Sequence, residues 1–140
     1  MLATGRGEVL TRLPSFPRLS VVLAKPPVGV STAWAYKTYD AGYDGPHPDK
    51  EAMLAAIHER DAHKAAGLLC NVLEGVTEVE HPVIADYKRL MLEHGAMASM
   101  MSGSGPTVFG LVREKQQAWH LADTLKKYDG EAGVFVAETL

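Results

Sequence analysis

The stretch SMMSGSGPTVFG, residues 99–110, determines how the rest of the chain is organised. It follows an amphipathic helical pattern and leads into a short segment rich in β-branched and aromatic residues. Gly103 and Gly105, flanked by small hydroxyl side chains, allow backbone or ligand to approach where a Cβ would collide. Pro106 removes a hydrogen-bond donor and fixes the direction of the following segment. The stretch therefore predicts either a tight turn between two strands or a loop that faces a phosphate or nucleotide.

Two familiar glycine-rich nucleotide motifs do not fit this stretch. A P-loop needs a lysine and then a serine or threonine directly after its last glycine, whereas Pro106 and Thr107 follow Gly105. The dinucleotide fingerprint needs a helix after its glycines, so that the helix N-terminus meets the pyrophosphate. Because this stretch leads into a strand, the glycines by themselves are a weak indication of a nucleotide site.

The patterns on either side of the stretch give the order of elements. Apolar, β-branched runs predict strands at residues 19–24, 98–101, 107–112 and 133–137, after an extended segment around residues 9–10 and a loop at residues 13–18. Apolar side chains at helical spacing predict five helical segments. The first begins at Ser31 or Thr32, and the second begins after Pro48. The third runs from Ala62 to an end at Gly75, the fourth from Pro82 to an end at Gly95, and the fifth lies around residues 118–125.

This order is strand, several helices, strand, strand, helix, strand. It indicates the α+β class and a ferredoxin-like arrangement, with additional helices in the first crossover. We therefore expect an antiparallel four-stranded sheet with helices packed mainly on one face.

Composition excludes several classes of protein. The chain has 140 residues, of which 46% are hydrophobic and 22% charged, as in one globular domain. Its net charge of −3 gives no electrostatic basis for binding nucleic acid. No apolar run approaches the ~20 residues of a membrane span, and residues 1–8 lack the features of a signal peptide. Because Cys70 is the single cysteine, no intrachain disulfide is possible, and we expect a cytoplasmic protein with no membrane partner.

Three aromatic residues, Trp34, Tyr36 and Tyr39, lie within six positions of a chain that is only 7% aromatic. One interpretation is that they pack in the core. The other is that they form a surface on which a planar ligand stacks, since aromatic faces stack nucleic-acid bases at ~1–3 kcal/mol each. The residues alone leave both interpretations open.

Recognisable catalytic or metal-binding patterns are absent from the sequence. Among the six histidines, His58 and His63 are five apart, which places them on different sides of a helix, and no Cys-x-x-Cys motif accompanies them. We therefore expect no metal site. Cys70 lies on an apolar helical pattern and is interpreted as core filling. No pair of acids defines a general base, so the residues do not describe a complete enzyme.

Several segments, taken in order, resemble one family. These are Ala3–Glu8 (ATGRGE), the Pro26-Pro27 end of a strand, Val30–Tyr36 (VSTAWAY), Asn71–Glu74 (NVLE), His81-Pro82 and Met101–Phe109 (MSGSGPTVF). Together they resemble the C-terminal half of the 4-diphosphocytidyl-2-C-methyl-D-erythritol kinase family, within the GHMP kinase superfamily. The glycine segment is similar to the superfamily in general, and the segments at Thr32–Tyr36 and Asn71–Glu74 narrow the resemblance to this family.

The resemblance implies an activity. Family enzymes transfer the γ-phosphoryl group of ATP, with Mg²⁺, to the 2-hydroxyl of a cytidine-linked methylerythritol in the non-mevalonate isoprenoid pathway. Their ATP-binding Gly-rich loop, catalytic aspartate and active-site lysine lie in the N-terminal half, and none of these motifs occurs here. We therefore expect this chain to be inactive alone, with no cofactor bound to it alone, and to need the missing N-terminal kinase half as a partner.

The resemblance also assigns residues to a site, with no catalytic residue and no metal ligand among them. Thr32 and Tyr36 match the segment that lines the cytidine pocket. The third GHMP motif, which shapes the active-site floor, matches Ser102, Gly103, Ser104, Gly105 and Pro106. Residues 5–8 match the link between the two halves, so residues 1–18 are expected to be a linker from a missing N-terminal kinase domain and residues 19–140 the GHMP kinase C-terminal domain.

A second function remains open at this point. The chain would then be a free-standing ferredoxin-like module for ligand binding or interaction, without catalysis. In the kinase interpretation, the inter-domain face exposed without the N-terminal half would leave an apolar patch and favour self-association. Loss of cytidine nucleotide binding on Tyr36→Ala would favour the kinase half, whereas stable assemblies without any nucleotide binding would favour the module.

Overall fold

A computed structural model describes residues 1–139 of the chain. Its strands are β1 (Leu2–Thr4), β2 (Val9–Thr11), β3 (Ser20–Lys25), β4 (Ala98–Met101), β5 (Val108–Val112) and β6 (Gly133–Glu138). Its helices are α1 (Thr32–Asp40), α2 (Lys50–His58), α3 (Ala62–Gly67), α4 (Glu74–Glu80), α5 (Val83–Glu93) and α6 (Lys115–Tyr128). None of the helices in this part of the chain combines the length and apolar character that crossing a bilayer requires.

Four strands form the main sheet in the order β4-β5-β3-β6, and every neighbouring pair is antiparallel. In the register, Val22 of β3 lies between Gly110 of β5 and Val136 of β6. The order and directions are those of a ferredoxin-like sheet. The predicted α+β fold and the four predicted strands are therefore confirmed.

Alternation along the strands separates a buried sheet face from an open one. Val22 and Ala24 of β3 and Val108 and Val112 of β5 point to the buried face, where α5 and α6 cover them. The helices contribute Ile84, Tyr87 and Met91 of α5, and Ala118, Leu121, Ala122 and Leu125 of α6. This layer is the hydrophobic core, and it fixes the ends of the central strands in space.

The other sheet face is only partly covered. Leu111 of β5 and Met100 of β4 line cavities together with side chains of α2, α3 and the β1–β2 hairpin. Phe135 of β6, farther across the same face, is 64% exposed. The helices of the first crossover therefore occupy one part of this face and leave the β6 side open.

Local capping explains several helix boundaries. The Ser31 hydroxyl accepts a hydrogen bond from the Trp34 N–H, and Asp49 and Asp61 cap α2 and α3 through side-chain oxygens. Gly95, directly after the end of α5, has φ +95°, which a residue with a Cβ adopts only at a cost. The predicted start of α1 at Ser31 or Thr32 and the end of α5 before Gly95 are confirmed.

Two predictions about helices and strands were wrong. The helical stripe expected over residues 62–73 ends at Gly67, and Gly75 lies inside a separate helix, α4. The Asn71 side chain turns the chain between them by accepting a hydrogen bond from Leu73 N. At the N-terminus, where no strand was predicted before residues 9–10, Leu2–Thr4 forms β1 and pairs with β2, and the turn between them contains Gly5 and Gly7, both with positive φ. The predicted domain of residues 19–140 ends at Leu140, which lies outside the described residues.

Candidate functional site

The glycine segment forms a tight turn between β4 and β5. Ser102 N donates to Thr107 O at 2.8 Å, and Gly105 N donates to Ser102 O at 3.0 Å. Gly103 and Gly105 have φ of +59° and +90°, and the Gly105–Pro106 peptide bond is cis. A Cβ added to Gly105 would lie 2.7 Å from the Met101 sulfur. The interpretation as a turn is therefore correct, and at Gly105 the turn requires glycine for both conformation and space.

Asn71 holds this turn from the side. Its Nδ2 donates to Met101 O and to Gly103 O, both at 2.8 Å, while its Oδ1 accepts from Leu73 N at 3.0 Å. The Thr77 hydroxyl is completely buried and lies 3.3 Å from Ser104 O. The start of α4 and the loop before it are thus tied to three carbonyl groups of the turn.

Glu74 binds the end of β4, the strand that leads into the turn. Its Oε2 accepts from Met101 N at 2.7 Å, and its Oε1 pairs with Lys88 of α5. Lys88 also pairs with Glu78 at 2.6 Å. Burial lowers the pKa of the Lys88 ammonium, but its hydrogen bonds and its charge attraction to Glu74 and Glu78 together raise it by more, so the pKa lies above its ordinary value. Glu74, Glu78 and Lys88 are thus paired with one another beside the turn.

Helix α1 approaches the turn from the opposite side. The Thr32 hydroxyl lies 2.8 Å from the Ser104 hydroxyl, and the Ser31 cap fixes the first turn of α1 in that position. Thr32 is exposed, so its hydroxyl also faces solvent. The structure therefore brings the two sequence-predicted groups, the Thr32–Tyr36 segment and the glycine motif, into one place.

A groove of about 410 Å³ runs between these elements. Tyr36, Asn71, Met100, Ser102, Gly103 and Phe109 are among its lining residues. Tyr36 is 55% exposed, so its ring is available to a ligand. In contrast, Tyr39 packs against the core and stacks on Tyr43 with ring centroids 5.0 Å apart. The aromatic cluster thus divides: Tyr39 is a packing residue and Tyr36 faces the groove.

Some predicted positions lie outside the groove. Residues 5–8 form the turn of the β1–β2 hairpin, where Arg6 N donates to the Glu8 carboxylate at 2.5 Å. Within residues 1–139, no group of three or more His, Cys, Asp or Glu side chains is placed to hold a metal ion. Cys70 is half-buried and lines the groove rather than the core, so its interpretation as core filling was wrong.

No role was predicted from the sequence for Asn71 and Glu74, which hold the turn of the site. The sequence contained a signal, because the NVLE segment is one of those that carry the family resemblance. It did not indicate that these side chains bind the backbone of a turn about 30 residues further along the chain. Contacts of that separation leave no periodic pattern.

Comparisons with known proteins place these features in a family. Residues 53–130 match the family model described as GHMP kinases C terminal. A 4-diphosphocytidyl-2-C-methyl-D-erythritol kinase of Acetivibrio thermocellus is 44% identical over 140 residues, which are 100% of this chain and 49% of that protein. The enzyme of the same name from Geobacillus kaustophilus is 46% identical over 127 residues, 91% of this chain and 43% of that protein.

Solved structures agree in fold. A crystal structure of 4-(cytidine 5'-diphospho)-2C-methyl-D-erythritol kinase superposes with a TM-score of 0.72 at 29% identity, covering 94% of this chain and 47% of that one. Homoserine kinase from Cytophaga hutchinsonii gives a TM-score of 0.68 at 21% identity, over 94% of this chain and 44% of that one, which indicates a shared fold.

The chain spans about half the length of the curated relatives that it matches. The matched family model covers more than half of the chain, including α4, α5, the glycine turn and α6. By sequence and by fold, this chain belongs to the GHMP kinase C-terminal family.

Proposed function

We propose that this chain is the substrate-side half of an ATP-dependent kinase that phosphorylates the 2-hydroxyl of 4-diphosphocytidyl-2-C-methyl-D-erythritol in the non-mevalonate isoprenoid pathway. The observation that carries the proposal is the shared groove of Tyr36 and the glycine turn. An exposed aromatic ring and a turn with positive φ, supplied by distant parts of the chain, face the same space of about 410 Å³. That volume falls in the usual range for small-molecule sites.

Each predicted site residue has a chemical task in this proposal. The Tyr36 ring stacks on the cytosine, which contributes ~1–3 kcal/mol in comparable base–aromatic contacts. The Thr32 hydroxyl, already 2.8 Å from Ser104, donates to or accepts from the ligand beside the turn. Ser102 to Pro106 form the floor of the site. Asn71 and Glu74 hold that floor in one conformation, so binding does not have to order it.

In this proposal the catalytic groups belong to an N-terminal half, and the two halves together form the active enzyme. Phosphoryl transfer depends mainly on positioning and on neutralising charge, and ATP with Mg²⁺ supplies the phosphoryl group and much of that neutralisation. No residue of this chain is assigned to hold ATP or Mg²⁺. In the proposed division, residues 1–18 connect the halves, residues 19–140 form the C-terminal domain, and this domain binds and orients the cytidine-linked substrate.

The test is phosphoryl transfer by two separately produced halves. The 140-residue chain and an N-terminal half taken from a relative such as the Acetivibrio thermocellus enzyme are assayed alone and mixed, with ATP, Mg²⁺ and the cytidine-linked substrate. We expect no product from this chain alone and product from the mixture. Activity of this chain alone would overturn the assignment of the catalytic groups to the other half.

A variant pair tests the groove itself. Tyr36→Ala removes an exposed ring in the groove, whereas Trp119→Ala removes a ring that is similarly exposed, at 51%, on α6. We expect Tyr36→Ala to raise the substrate KM of the mixture by about tenfold or more, and Trp119→Ala to leave it unchanged. If Tyr36→Ala behaves like wild type in an active mixture, the Tyr36 ring does not contact the substrate. If the chain instead assembles stably and binds no cytidine nucleotide, the alternative of a non-catalytic module is favoured.

A further inference from the structure

A second groove lies at the other end of the central strands. It has a volume of about 590 Å³ and is lined by residues of three separate segments, among them Arg18, Arg60 and Arg113. We call it the arginine groove. The register pairs Ser20 of β3 with Val112 of β5, so Arg18 and Arg113 flank the same end of neighbouring strands. The glycine turn is attached to the opposite end of β5, about 13 Å away along the strand.

The three arginines are not used to stabilise the fold through ion pairs. Within residues 1–139, none of the ion pairs involves Arg18, Arg60 or Arg113. Arg89 on α5, in contrast, pairs with Asp86 and Glu93. Three arginines that line one groove and form no ion pair among the described residues have guanidinium donors available to a multivalent anion.

The acids in the groove are mostly engaged elsewhere. Glu59 pairs with Lys64 at 2.9 Å, and the Asp61 carboxylate accepts from Lys64 N at 2.9 Å as the cap of α3. Glu114 precedes α6 and makes no side-chain cap there. The first N–H groups of α6 therefore lack a side-chain acceptor beside the groove, and they contribute positive partial charge there.

Arg60 occupies a position that normally favours glycine. The turn after α2 is a Schellman motif, because Asp61 N donates to Ala56 O at 3.0 Å and Arg60 N donates to Ile57 O at 3.1 Å. Arg60 has φ +57°, and within the described residues it is the single non-glycine residue with positive φ. Strained backbone positions cluster at functional sites, and the Arg60 side chain lines the groove.

From these observations we propose that the arginine groove binds a small anion that carries two or more phosphate groups. Arg18, Arg60 and Arg113 contact the phosphate oxygens, and the N-terminus of α6 supports the negative charge. The site is separate from the groove of Tyr36 and the glycine turn, and its existence does not depend on the kinase activity proposed above.

Binding and its location are measured together. The ¹⁵N-labelled chain is titrated with inorganic pyrophosphate at low salt, and amide shifts are followed by NMR. We expect saturable shifts at Arg18, Arg113 and Lys115 that weaken as NaCl is raised. Shifts confined to Ser102 to Gly105, or no saturable binding at millimolar pyrophosphate, would overturn the proposal.

Variants separate a site from a general charge effect. Arg113→Ala is expected to weaken the pyrophosphate Kd about tenfold, since it removes charge-assisted hydrogen bonds. Arg12→Ala makes the same change of net charge outside the groove, and we expect it to leave the Kd unchanged. Equal weakening by the two variants would contradict a localised site. The spectrum of each variant reports whether it remains folded.

Two further substitutions test the details. Arg60→Gly relieves the positive φ, so we expect it to weaken binding while raising the urea midpoint of unfolding, a combination that a damaged fold cannot give. Glu114→Gln removes the unengaged acid and is expected to tighten binding about two- to threefold.

A nucleoside diphosphate titrated in a second arm shows whether phosphate groups alone are recognised. If the nucleoside diphosphate binds the same residues no more tightly than pyrophosphate does, the phosphate groups alone are recognised. If it binds them more tightly, the ligand class narrows to nucleotides.

Discussion

At the Val108 end of β5, polar side chains bind the backbone and one another. At the Val112 end, three arginines line a groove and, within residues 1–139, form no ion pair with the acids beside them. Both ends belong to the same sheet and are covered by the same core layer. At the first end, the polar side chains stabilise one backbone conformation of the turn. At the second end, the three arginines form no ion pair in the described part of the chain, so their guanidinium groups remain free to bind a ligand.

The largest expected contrast comes from removing one charge at each end. Glu74→Ala removes the acceptor of Met101 N and a half-buried partner of Lys88, and we expect it to cost about 2–3 kcal/mol of unfolding free energy. Arg113→Ala removes an exposed, unpaired side chain, with an expected change within about 0.5 kcal/mol. Urea unfolding of both variants measures the contrast.

Glu78 provides the control for the first of these variants. It also pairs with Lys88 but makes no hydrogen bond to the turn, so Glu78→Ala should cost no more than about 1 kcal/mol. If Glu74→Ala and Glu78→Ala cost the same, the bond to Met101 N contributes nothing and the glycine turn is held by other contacts.

The second contrast concerns backbone conformation and has opposite signs at the two ends. Gly105→Ala places a Cβ at φ +90°, 2.7 Å from the Met101 sulfur, and we expect it to cost about 2 kcal/mol. Arg60→Gly removes the strain of φ +57° and is expected to stabilise the fold by about 1 kcal/mol. Thermal and urea unfolding provide both values.

Gly103 serves as the control at the turn. It also has a positive φ of +59°, but a Cβ there would meet nothing within 4 Å. Gly103→Ala should therefore cost only the conformational part, about 1 kcal/mol. A cost equal to that of Gly105→Ala would show that contact with Met101 is unimportant.

The smallest expected contrast is in pH dependence. The pKa of Lys88 is raised in the folded state, so its contribution to stability is complete below its ordinary value of 10.5 and is lost as pH rises through the folded value. Unfolding of wild type and Lys88→Met between pH 9 and 11 is compared, and we expect the variant to lose less stability.

Tyr87 requires its own control in that experiment. Burial, followed by its 2.5 Å hydrogen bond to Asp129, raises the pKa of the Tyr87 phenol. The sign is the same as for Lys88, so Tyr87 also contributes to alkaline destabilisation. Tyr87→Phe measured in parallel separates the two, and if Lys88→Met matches wild type across the range, the raised lysine pKa is not coupled to folding.

Local signals in the sequence were sufficient for the sheet and for most helices. Short apolar, β-branched runs indicated β3 and β5. The Ser31 hydroxyl and Gly95 indicated helix ends by mechanisms that act within a few residues. Helix α4 was missed because it is short, begins without a side-chain cap and contains Gly75 near its start. Its boundaries depend on the docking of Asn71 and Glu74 onto the turn, which is a tertiary effect.

The candidate site was predictable only where the family resemblance supplied it. Thr32, Tyr36 and the glycine motif were named from matching segments, and the structure brings them together. The roles of Asn71 and Glu74 were not predictable from spacing or propensity. The arginine groove was also hidden, because Arg18, Arg60 and Arg113 come from segments more than 40 residues apart in sequence and only the fold brings them together.

The bonds from Asn71 to the turn have a consequence for the order of folding. They join residues 30 and 32 positions apart, so a long loop must close before either bond forms. We expect substitutions at Asn71 to speed unfolding and hardly to slow folding, as for contacts made after the rate-limiting barrier. The floor of the site would then be among the last parts of the domain to form, and a nascent chain would acquire it only after β4 and β5 have paired.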